Sequence, residues 1–290
     1  MKILVVIANF GTNQVDCIKK SIEEYKSWPE EIDIIINSNI PLNIDGIKDN
    51  VLTLKSNLLY PRSTWKTIYE NKGKYDLYIA LEADIFITYE NIKFWLESTK
   101  TLPVDIYSKF MRYEIDESSD LSFPMNRQYN DLHHMNDTWK WNYNSPFIHE
   151  GITYAEFNNW NQACLVFNNN HLDFLSSKID MSDLDWYNPS INFPWDSIER
   201  WNFDIFYYFR KNVIAISHFD KILIHHMQNR YAKIPPSDPN YWMRGINEET
   251  MQGHIKLLKF YAQHWKITET FINENPEYTL EEINHNKGIK

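Results

Sequence analysis

In the first half of the chain, short apolar runs alternate with segments of helical periodicity. Residues 3–8 are continuously apolar and are followed by Asn9, Phe10 and Gly11, a pattern typical of a buried central strand. Apolar spacing and Pro and Gly positions predict further elements: strands at 32–36, 51–54 and 75–81, and helices at 15–28 and 61–71. This β-α-β-β-α-β order predicts an α/β fold with a mostly parallel sheet flanked by helices.

The second half is less regular. Its apolar runs predict strands at 104–111, 162–167, 213–216 and 221–225, and helices near 171–177, 197–210 and 247–265. Residues 115–150 are polar and aromatic, so they predict a long irregular segment that forms part of an acceptor site. We expect a catalytic domain over residues 1–230 and a C-terminal helical extension, residues 231–290, packed on the same domain.

Composition narrows the class of protein. Hydrophobic residues make up 43% and charged residues 23%, as in globular proteins. The aromatic fraction is high at 16%, and such rings can fill a core or stack on sugars and bases. A net charge of −10 argues against binding of nucleic acid, because extended phosphate backbones need basic surfaces. A small anionic ligand neutralised by a metal ion stays compatible with this charge.

The cysteines and the hydropathy of the chain indicate the cellular compartment of the protein. Cys17 and Cys164 are far apart and have no metal-like spacing, so we expect reduced structural thiols. The apolar run at the N-terminus is too short for a signal peptide, and no stretch has the length of a membrane span. These patterns predict a soluble, cytoplasmic protein without a transmembrane segment.

Two acidic residues follow the predicted strand at 75–81. Glu82 and Asp84 are separated by one residue, so strand alternation places both carboxylates on one face, about 7 Å apart. Ligands of open α/β sheets bind at the carboxyl ends of the strands. A carboxylate there, together with substrate phosphates, suits Mg²⁺ or Mn²⁺. The alternative is an acid pair that caps loop amides or pairs with a lysine.

The segment YDLYIALEADIFIT resembles the metal-binding strand of GT-A glycosyltransferases, which ends in a DxD or EDD-type motif. LEADI looks most like the branch of N-acetylglucosaminyltransferases whose strand ends in Glu-Asp-Asp, and LLYPRSTWKTIYEN resembles the helix before that motif. The resemblance spans residues 1–230 in the order of elements. It implies that Asp84 binds the metal directly and that Glu82 contacts the sugar or supports the metal ligands. The central acid of the motif is Ala83 here, which departs from the family pattern.

Two later segments resemble the donor and acceptor regions of the same family. NNWNQACLVFNNNHLDFL resembles the segment that lines the donor-sugar pocket, and NFPWDSIERWNFDIFYYFRKNVIAISH resembles the segment that carries the catalytic carboxylate. In an inverting enzyme this carboxylate is a general base for the attacking hydroxyl. The resemblance points first to Asp196, with Glu199 and Asp204 as further candidates. Asp196 also suits a helix N-cap, and the two roles are compatible.

The resemblance also suggests further ligand contacts. His225 and His226 end the last predicted strand, where the family often supplies another metal or diphosphate contact. Neighbours in a strand alternate, so one histidine should face the site and the other away. Positions 9–10 and 37 occupy the places where the family holds the base and ribose, which implies binding roles for Asn9, Phe10 and Asn37. The planar fork of Arg62 suits a diphosphate.

These observations predict a metal-dependent glycosyltransferase that uses a nucleotide-sugar donor, a UDP- or GDP-sugar, with a glycan or other hydroxyl compound as acceptor. GxGxxG and Walker patterns are missing from the sequence, which argues against Rossmann dehydrogenases and P-loop kinases. Two alternatives stay open. One is a non-catalytic glycan- or nucleotide-sugar-binding protein of the same fold, which the Ala83 departure keeps possible. The other is a nucleotidyltransferase, although the first strand lacks the Gly-rich basic signature of that class.

Overall fold

The computed structural model describes residues 1–56, 59–129, 146–157, 163–184 and 205–274. Its strands are β1 (Lys2–Asn9), β2 (Glu31–Ser38), β3 (Lys48–Val51), β4 (Leu77–Glu82), β5 (Ile85–Phe86), β6 (Ile106–Ser108), β7 (Met111–Ile115), β8 (Arg127–Tyr129), β9 (Phe147–His149), β10 (Ile152–Glu156), β11 (Cys164–Asn168), β12 (Lys211–Ala215), β13 (Leu223–His226) and β14 (Ile246–Asn247). Its α-helices are α1 (Val15–Lys26), α2 (Leu59–Glu70), α3 (Tyr89–Thr99), α4 (Asn169–Ser176) and α5 (Glu248–Glu274). Short 3-10 helices cover Ile216–Ile222 and Tyr241–Arg244.

The main sheet has the strand order β11-β4-β1-β2-β3. The contacts of β1 with β2 and β4, and of β2 with β3, are parallel, and only β11 runs antiparallel within this sheet. The chain moves outward from β1 to β3 and then returns to the other side of β1 with β4. This reversal creates a switch point between β1 and β4, where neighbouring connections leave in opposite directions.

Helices cover both faces of the main sheet. Alternate residues of β1 enter two separate core clusters: Ile3, Val5 and Ile7 pack with residues of α1 and α3, whereas Leu4 and Val6 pack with residues of α2 and α4. A strand buried on both faces needs apolar side chains at every position, which explains the continuous run in the sequence. The predicted α/β fold with a mostly parallel, helix-flanked sheet is confirmed.

Two smaller sheets contain the strands β5 to β10 and β12 to β14. One has the order β6-β12-β10-β9, and the other has the order β14-β8-β7-β13-β5. In the latter, β13 lies between β7, to which it is parallel, and β5, to which it is antiparallel. Because β5 follows β4 after a two-residue turn, this arrangement brings the end of β13 against the acidic end of β4.

Helix α5 belongs to the core of the described structure. Its Met251, Ile255 and Leu258 are buried in the same cluster as β1, with exposures of 0–4%. In the ranges that the structure describes, no helix is both long and apolar enough to cross a membrane.

The third strand of the sheet differs from the sequence prediction. A strand was expected at 51–54, but β3 covers Lys48–Val51 and is mostly polar. It is an edge strand whose side chains bond to neighbouring loops and strands: Asn50 Nδ2 donates to Asn37 Oδ1 at 2.9 Å, and Asp49 Oδ2 accepts two backbone amides. A hydrophobic pattern cannot identify such a strand, because its stability comes from polar partners.

The strand expected at 104–111 is also wrong as a single element. The chain forms β6 and β7 in two different sheets, and the break lies at Ser108–Phe110. The backbone amide of Lys109 donates to Val213 O of β12 at 2.8 Å, directly after the end of β6. Ile106, Tyr107, Phe110 and Met111 are all buried, and the polar residues between them, Ser108 and Lys109, are buried as well. The apolar spacing therefore resembles one strand although the chain changes sheet at this polar pair.

Two further predictions fall partly outside the described residues. The expected irregular segment 115–150 contains β8 and β9, so its described ends are more regular than predicted, while residues 130–145 lie outside. The helix expected at 197–210 is described only from Ile205; it ends at Phe206, whose carbonyl accepts a hydrogen bond from Asn212 Nδ2 at 3.1 Å. The helix therefore ends four residues earlier than expected, and residues 207–210 form turns and bends.

Candidate active site

A polar pocket lies at the switch point of the main sheet, beside the carboxyl ends of β1 and β4. Its volume is about 340 Å³. Its lining consists of Ala8, Asn9, Phe10, Asn13, Gln14, Tyr60, Pro61, Glu82, Asp84, Gln228 and Arg230. In open α/β sheets this is the edge where ligands bind, since strand ends and loops converge there and leave a crevice. Helix α1 begins at this edge, and its N-terminus favours anionic ligands.

Asp84 is the most deeply buried acid of this pocket, with 3% of its surface exposed. Its Oδ2 accepts two hydrogen bonds, from Gln14 Nε2 at 2.9 Å and from His226 Nε2 at 3.0 Å. Its Oδ1 is also buried and has no hydrogen-bond partner among the described residues. A buried carboxylate oxygen without a partner is costly, and it marks a position where a cation or donor completes the site.

His226 connects Asp84 to a second buried acid. Its Nε2 faces Asp84, and its Nδ1 donates to Glu114 Oε1 at 2.5 Å. Glu114 is fully buried on β7, and its Oε2 accepts the backbone amide of Ala232 at 2.6 Å. Three charged side chains from three separate strand regions therefore form one hydrogen-bonded chain, in the order Asp84, His226, Glu114.

The electrostatics of the Asp84–His226 pair favour its charged form. Burial alone would lower the pKa of His226, but hydrogen bonds to Asp84 and Glu114 outweigh burial and raise that pKa to about 9. For Asp84, burial acts to raise the pKa, and the hydrogen bond and charge of His226 overcome it, so the pKa is lowered. Asp84 is therefore a carboxylate at neutral pH, held by an imidazolium.

The pKa of Glu82 is shifted in the opposite direction from that of Asp84. Burial, followed by repulsion from Asp84, raises the pKa of Glu82 to about 7, although Arg112, His226 and Arg230 act in the opposite direction. Glu82 can thus exchange between a hydrogen-bond donor and a carboxylate near neutral pH.

The intervening Ala83 has 1% of its surface exposed and packs in the apolar core. The middle position of the motif faces away from the pocket, which explains why it can lack an acid.

Among the residues expected to hold the base and ribose, Asn9 and Phe10 line the pocket. Asn9 Nδ2 donates to Gly11 O at 2.9 Å and Ser38 Oγ at 3.0 Å, while its buried Oδ1 has no partner in the described part of the chain. The Phe10 ring is 52% exposed, with its centroid 5.6 Å from that of Tyr60. These two rings form an aromatic wall at one side of the pocket.

The two other predicted ligand contacts are placed away from this pocket. Asn37 is fully buried, and its amide bonds to Ser63 and Thr67 of α2 at 2.9 and 3.0 Å, so it joins β2 to α2. The guanidinium of Arg62 lies 5.9 Å from the centroid of the Trp65 ring. Tyr60 and Pro61, the two residues before Arg62, line the pocket instead.

The structure separates the two neighbouring histidines. His226 faces Asp84, whereas His225 stacks on Tyr113, with ring centroids 5.0 Å apart, and bonds to Asn229 Oδ1 at 3.0 Å. The proposed metal set thus reduces to Asp84 and His226. The candidate bases Asp196, Glu199 and Asp204 lie outside the described residues.

Sequence reasoning missed three residues of this site: Gln14, Glu114 and Arg230. Gln14 precedes the first turn of α1, and Arg230 lies four residues beyond His226 on the loop after β13. A signal existed only for Glu114, as an acid inside the strand Met111–Ile115, where it alternates with the apolar residues Tyr113 and Ile115. Its partner is 112 residues away in sequence, so the strand pairing must be known before the contact can be found.

The residues present suit a divalent cation that is shared with a ligand. In the described ranges, no group of three or more His, Cys, Asp or Glu side chains is placed to hold a metal ion. Once the Nε2 proton of His226 has left, Asp84 Oδ2 and His226 Nε2 offer two ligand atoms 3.0 Å apart. This distance is close to the spacing of about 3 Å between neighbouring ligands with bonds of about 2.1 Å. Mg²⁺ and Mn²⁺ often take few protein ligands and complete their shell with phosphates and water.

No protein-family model matches the chain, and no curated protein matches it in sequence. Among solved structures, the chain is similar to S. aureus TarS 1-349, with 12% identity and a TM-score of 0.41 over 100% of this chain and 79% of that chain. The same protein in complex with UDP gives 11% identity and a TM-score of 0.42 over 98% and 78% of the two chains. Its complex with UDP-GlcNAc gives 12% and 0.38 over 97% and 77%.

Proposed function

We propose that this protein is a GT-A type glycosyltransferase that transfers a sugar from a nucleoside diphosphate donor to a hydroxyl acceptor, with Mn²⁺ or Mg²⁺ as cofactor. We assign the activity to residues 1–230, with residues 231–290 as an extension on the same domain. The acceptor we propose is a glycan.

One observation carries the proposal: Asp84 is ionised, almost fully buried and has one carboxylate oxygen without a partner in the described structure. It stands at the switch point of the sheet, in a pocket that also contains Arg230. An acid and a guanidinium on the same pocket wall suit a ligand that consists of a cation and an anion together. A diphosphate with its divalent metal has this composition.

The protein groups have separate tasks in this proposal. Asp84 and His226 hold the metal ion, which would neutralise the leaving diphosphate as a Lewis acid. Arg230 offers a second positive charge to the diphosphate, and its planar donors suit phosphate oxygens. The rings of Phe10 and Tyr60 provide an apolar wall for the base. Glu82, able to donate a hydrogen bond when protonated, faces the same pocket and suits a sugar hydroxyl.

The acceptor side of the reaction needs a group that removes a proton from the attacking hydroxyl if the enzyme inverts. Asp196 remains our first candidate for this base, with Glu199 and Asp204 as the others. Loss of a general base typically reduces the rate by about 10²–10⁴-fold and leaves donor binding in place.

A turnover assay tests the proposal against a purely binding role. Release of UDP or GDP from a panel of UDP- and GDP-sugars, with hydroxyl acceptors, should occur with Mn²⁺ and stop with EDTA. Metal-dependent binding of a nucleoside diphosphate without any turnover would instead identify a binding protein of the same fold. Release of pyrophosphate from a nucleoside triphosphate would identify a nucleotidyltransferase.

A further inference from the structure

We infer that Glu114 is a positioning residue that couples the orientation of His226 to the placement of Arg230 over the pocket. The inference rests on the proposed function, because it assigns a task within the same metal and diphosphate site. Glu114 itself does not line the pocket, so its effect must pass through the groups to which it bonds.

Both carboxylate oxygens of Glu114 accept hydrogen bonds in the interior of the protein. Its side chain has no exposed surface, and its two oxygens have different partners: His226 Nδ1 at 2.5 Å and the Ala232 amide at 2.6 Å. A buried carboxylate needs such charge-assisted bonds, because its desolvation would otherwise be unfavourable. The parallel pairing of Tyr113 with His225 places Glu114 beside His226 and fixes this contact.

The segment between His226 and Ala232 is held by a hydrogen bond near each of its ends. The amide of Met227 donates to Asp84 O at 2.8 Å, and the amide of Ala232 donates to Glu114. These two bonds bracket Gln228 and Arg230, the only residues of the segment that line the pocket. One end of the pocket-lining segment is therefore bonded to the backbone carbonyl of Asp84, and the other end to the side-chain carboxylate of Glu114.

The hydrogen bond from Nδ1 to Glu114 determines which nitrogen of His226 is available to a metal ion. A metal ion binds a neutral imidazole nitrogen, and a carboxylate on the other ring nitrogen fixes both the ring orientation and the tautomer. Glu114 accepts from Nδ1–H, so the nitrogen that remains for a metal is Nε2, the atom that faces Asp84. The same carboxylate thus orients a metal ligand and holds the Arg230 segment.

Glu114→Gln tests the inference, because a glutamine can satisfy only one of the two donors. If its oxygen accepts from Ala232, its amide N–H meets His226 Nδ1 and forces the wrong tautomer; if it flips, the Ala232 bond is lost. Calorimetry of UDP binding, repeated with GDP, should show an affinity loss of about 10–100-fold in the presence of Mn²⁺. Arg230→Ala alone should also weaken binding, and the double variant should lose less than the sum of the two.

Glu248→Gln is a matched control. Glu248 is another buried acid, 4% exposed, which bonds to Tyr129 Oη and to Gln252 Nε2 and lies outside the pocket lining. Its substitution should lower stability and leave Mn²⁺-dependent binding unchanged. If Glu114→Gln binds like the wild type, or if its loss and that of Arg230→Ala are additive, the inference is overturned and the proposed function stands. Failure of the wild type to bind UDP and GDP with Mn²⁺ would overturn both.

A measurement on the wild-type protein decides the question even if Glu114→Gln does not fold. Nitrogen NMR of ¹⁵N-histidine-labelled protein with Mg²⁺ and UDP should show His226 protonated at Nδ1 and unprotonated at Nε2. An Nδ1 without a proton in this complex would overturn the inference.

Discussion

Two buried histidines of this protein have opposite environments. His226 lies at the polar edge of the sheet between two carboxylates, and its pKa is raised to about 9. His171 of α4 lies in an aromatic cluster: its ring centroid is 5.7, 5.9 and 6.1 Å from those of Trp95, Tyr107 and Phe209. Burial lowers the pKa of His171 to about 4. Both are about equally inaccessible, with 3% and 5% exposure.

The difference shows that burial does not decide the charge of a histidine; its hydrogen-bond partners do. In the aromatic cluster the ring is a neutral packing group, and its Nδ1 finds no partner among the residues described. At the sheet edge the ring is an imidazolium that stabilises two acids. A charged, paired and pocket-facing histidine is a candidate for function, whereas a neutral histidine in an aromatic cluster is a packing residue.

The same substitution at both positions should give the largest contrast. His226→Phe leaves Asp84 and Glu114 buried without their shared cation, so we expect a loss of about 3–5 kcal/mol in the free energy of unfolding. His171→Phe keeps an aromatic ring in an aromatic cluster and should change that free energy by less than about 1.5 kcal/mol. Urea unfolding at pH 7 measures both, and similar losses in the two variants would contradict the comparison.

The dependence of stability on pH should be the next largest effect. The folded-state pKa of His171, about 4, is below the unfolded value of about 6.5, so the folded state resists protonation. Its contribution to stability is complete above pH 6.5 and falls as the pH decreases toward 4. Between pH 7 and pH 5, wild type should lose about 2 kcal/mol more than His171→Phe. Parallel losses in the two proteins would show that His171 is not kept neutral.

Substitution of Gln14 should have a smaller and more local effect, at Asp84 in the pocket. Gln14→Ala removes one of the two donors to Asp84 Oδ2, and we expect Mn²⁺-dependent UDP binding to weaken about tenfold, or about 1.4 kcal/mol. Gln252→Ala is the matched control, since Gln252 Nε2 donates to the Glu248 carboxylate at 2.8 Å outside the pocket. Equal changes in both variants would mean that Gln14 has no special role in holding Asp84.

The sequence predicted the parts of the molecule that depend on local patterns. The buried run of β1 and the acids at the end of β4 are contiguous in sequence, so their burial and proximity follow from strand geometry. The polar edge strand β3 was misplaced because its partners, such as Asn37, are side chains of other elements.

The contact between His226 and Glu114 needs the pairing of β13 with β7, which a single sequence does not reveal. The positive charge of His226 and the neutral state of His171 likewise depend on neighbours distant in sequence.

The central claim is that Asp84 holds a divalent cation together with a nucleoside diphosphate. Calorimetric titration of UDP and GDP, with and without Mn²⁺, tests it on wild type, Asp84→Asn and Asp49→Asn. Asp49 is the matched control, because its Oδ2 also accepts two hydrogen bonds and its buried Oδ1 has no partner in the described residues, but it does not line the pocket. We predict Mn²⁺-dependent binding that is lost in Asp84→Asn and retained in Asp49→Asn; unchanged binding by Asp84→Asn would contradict the claim.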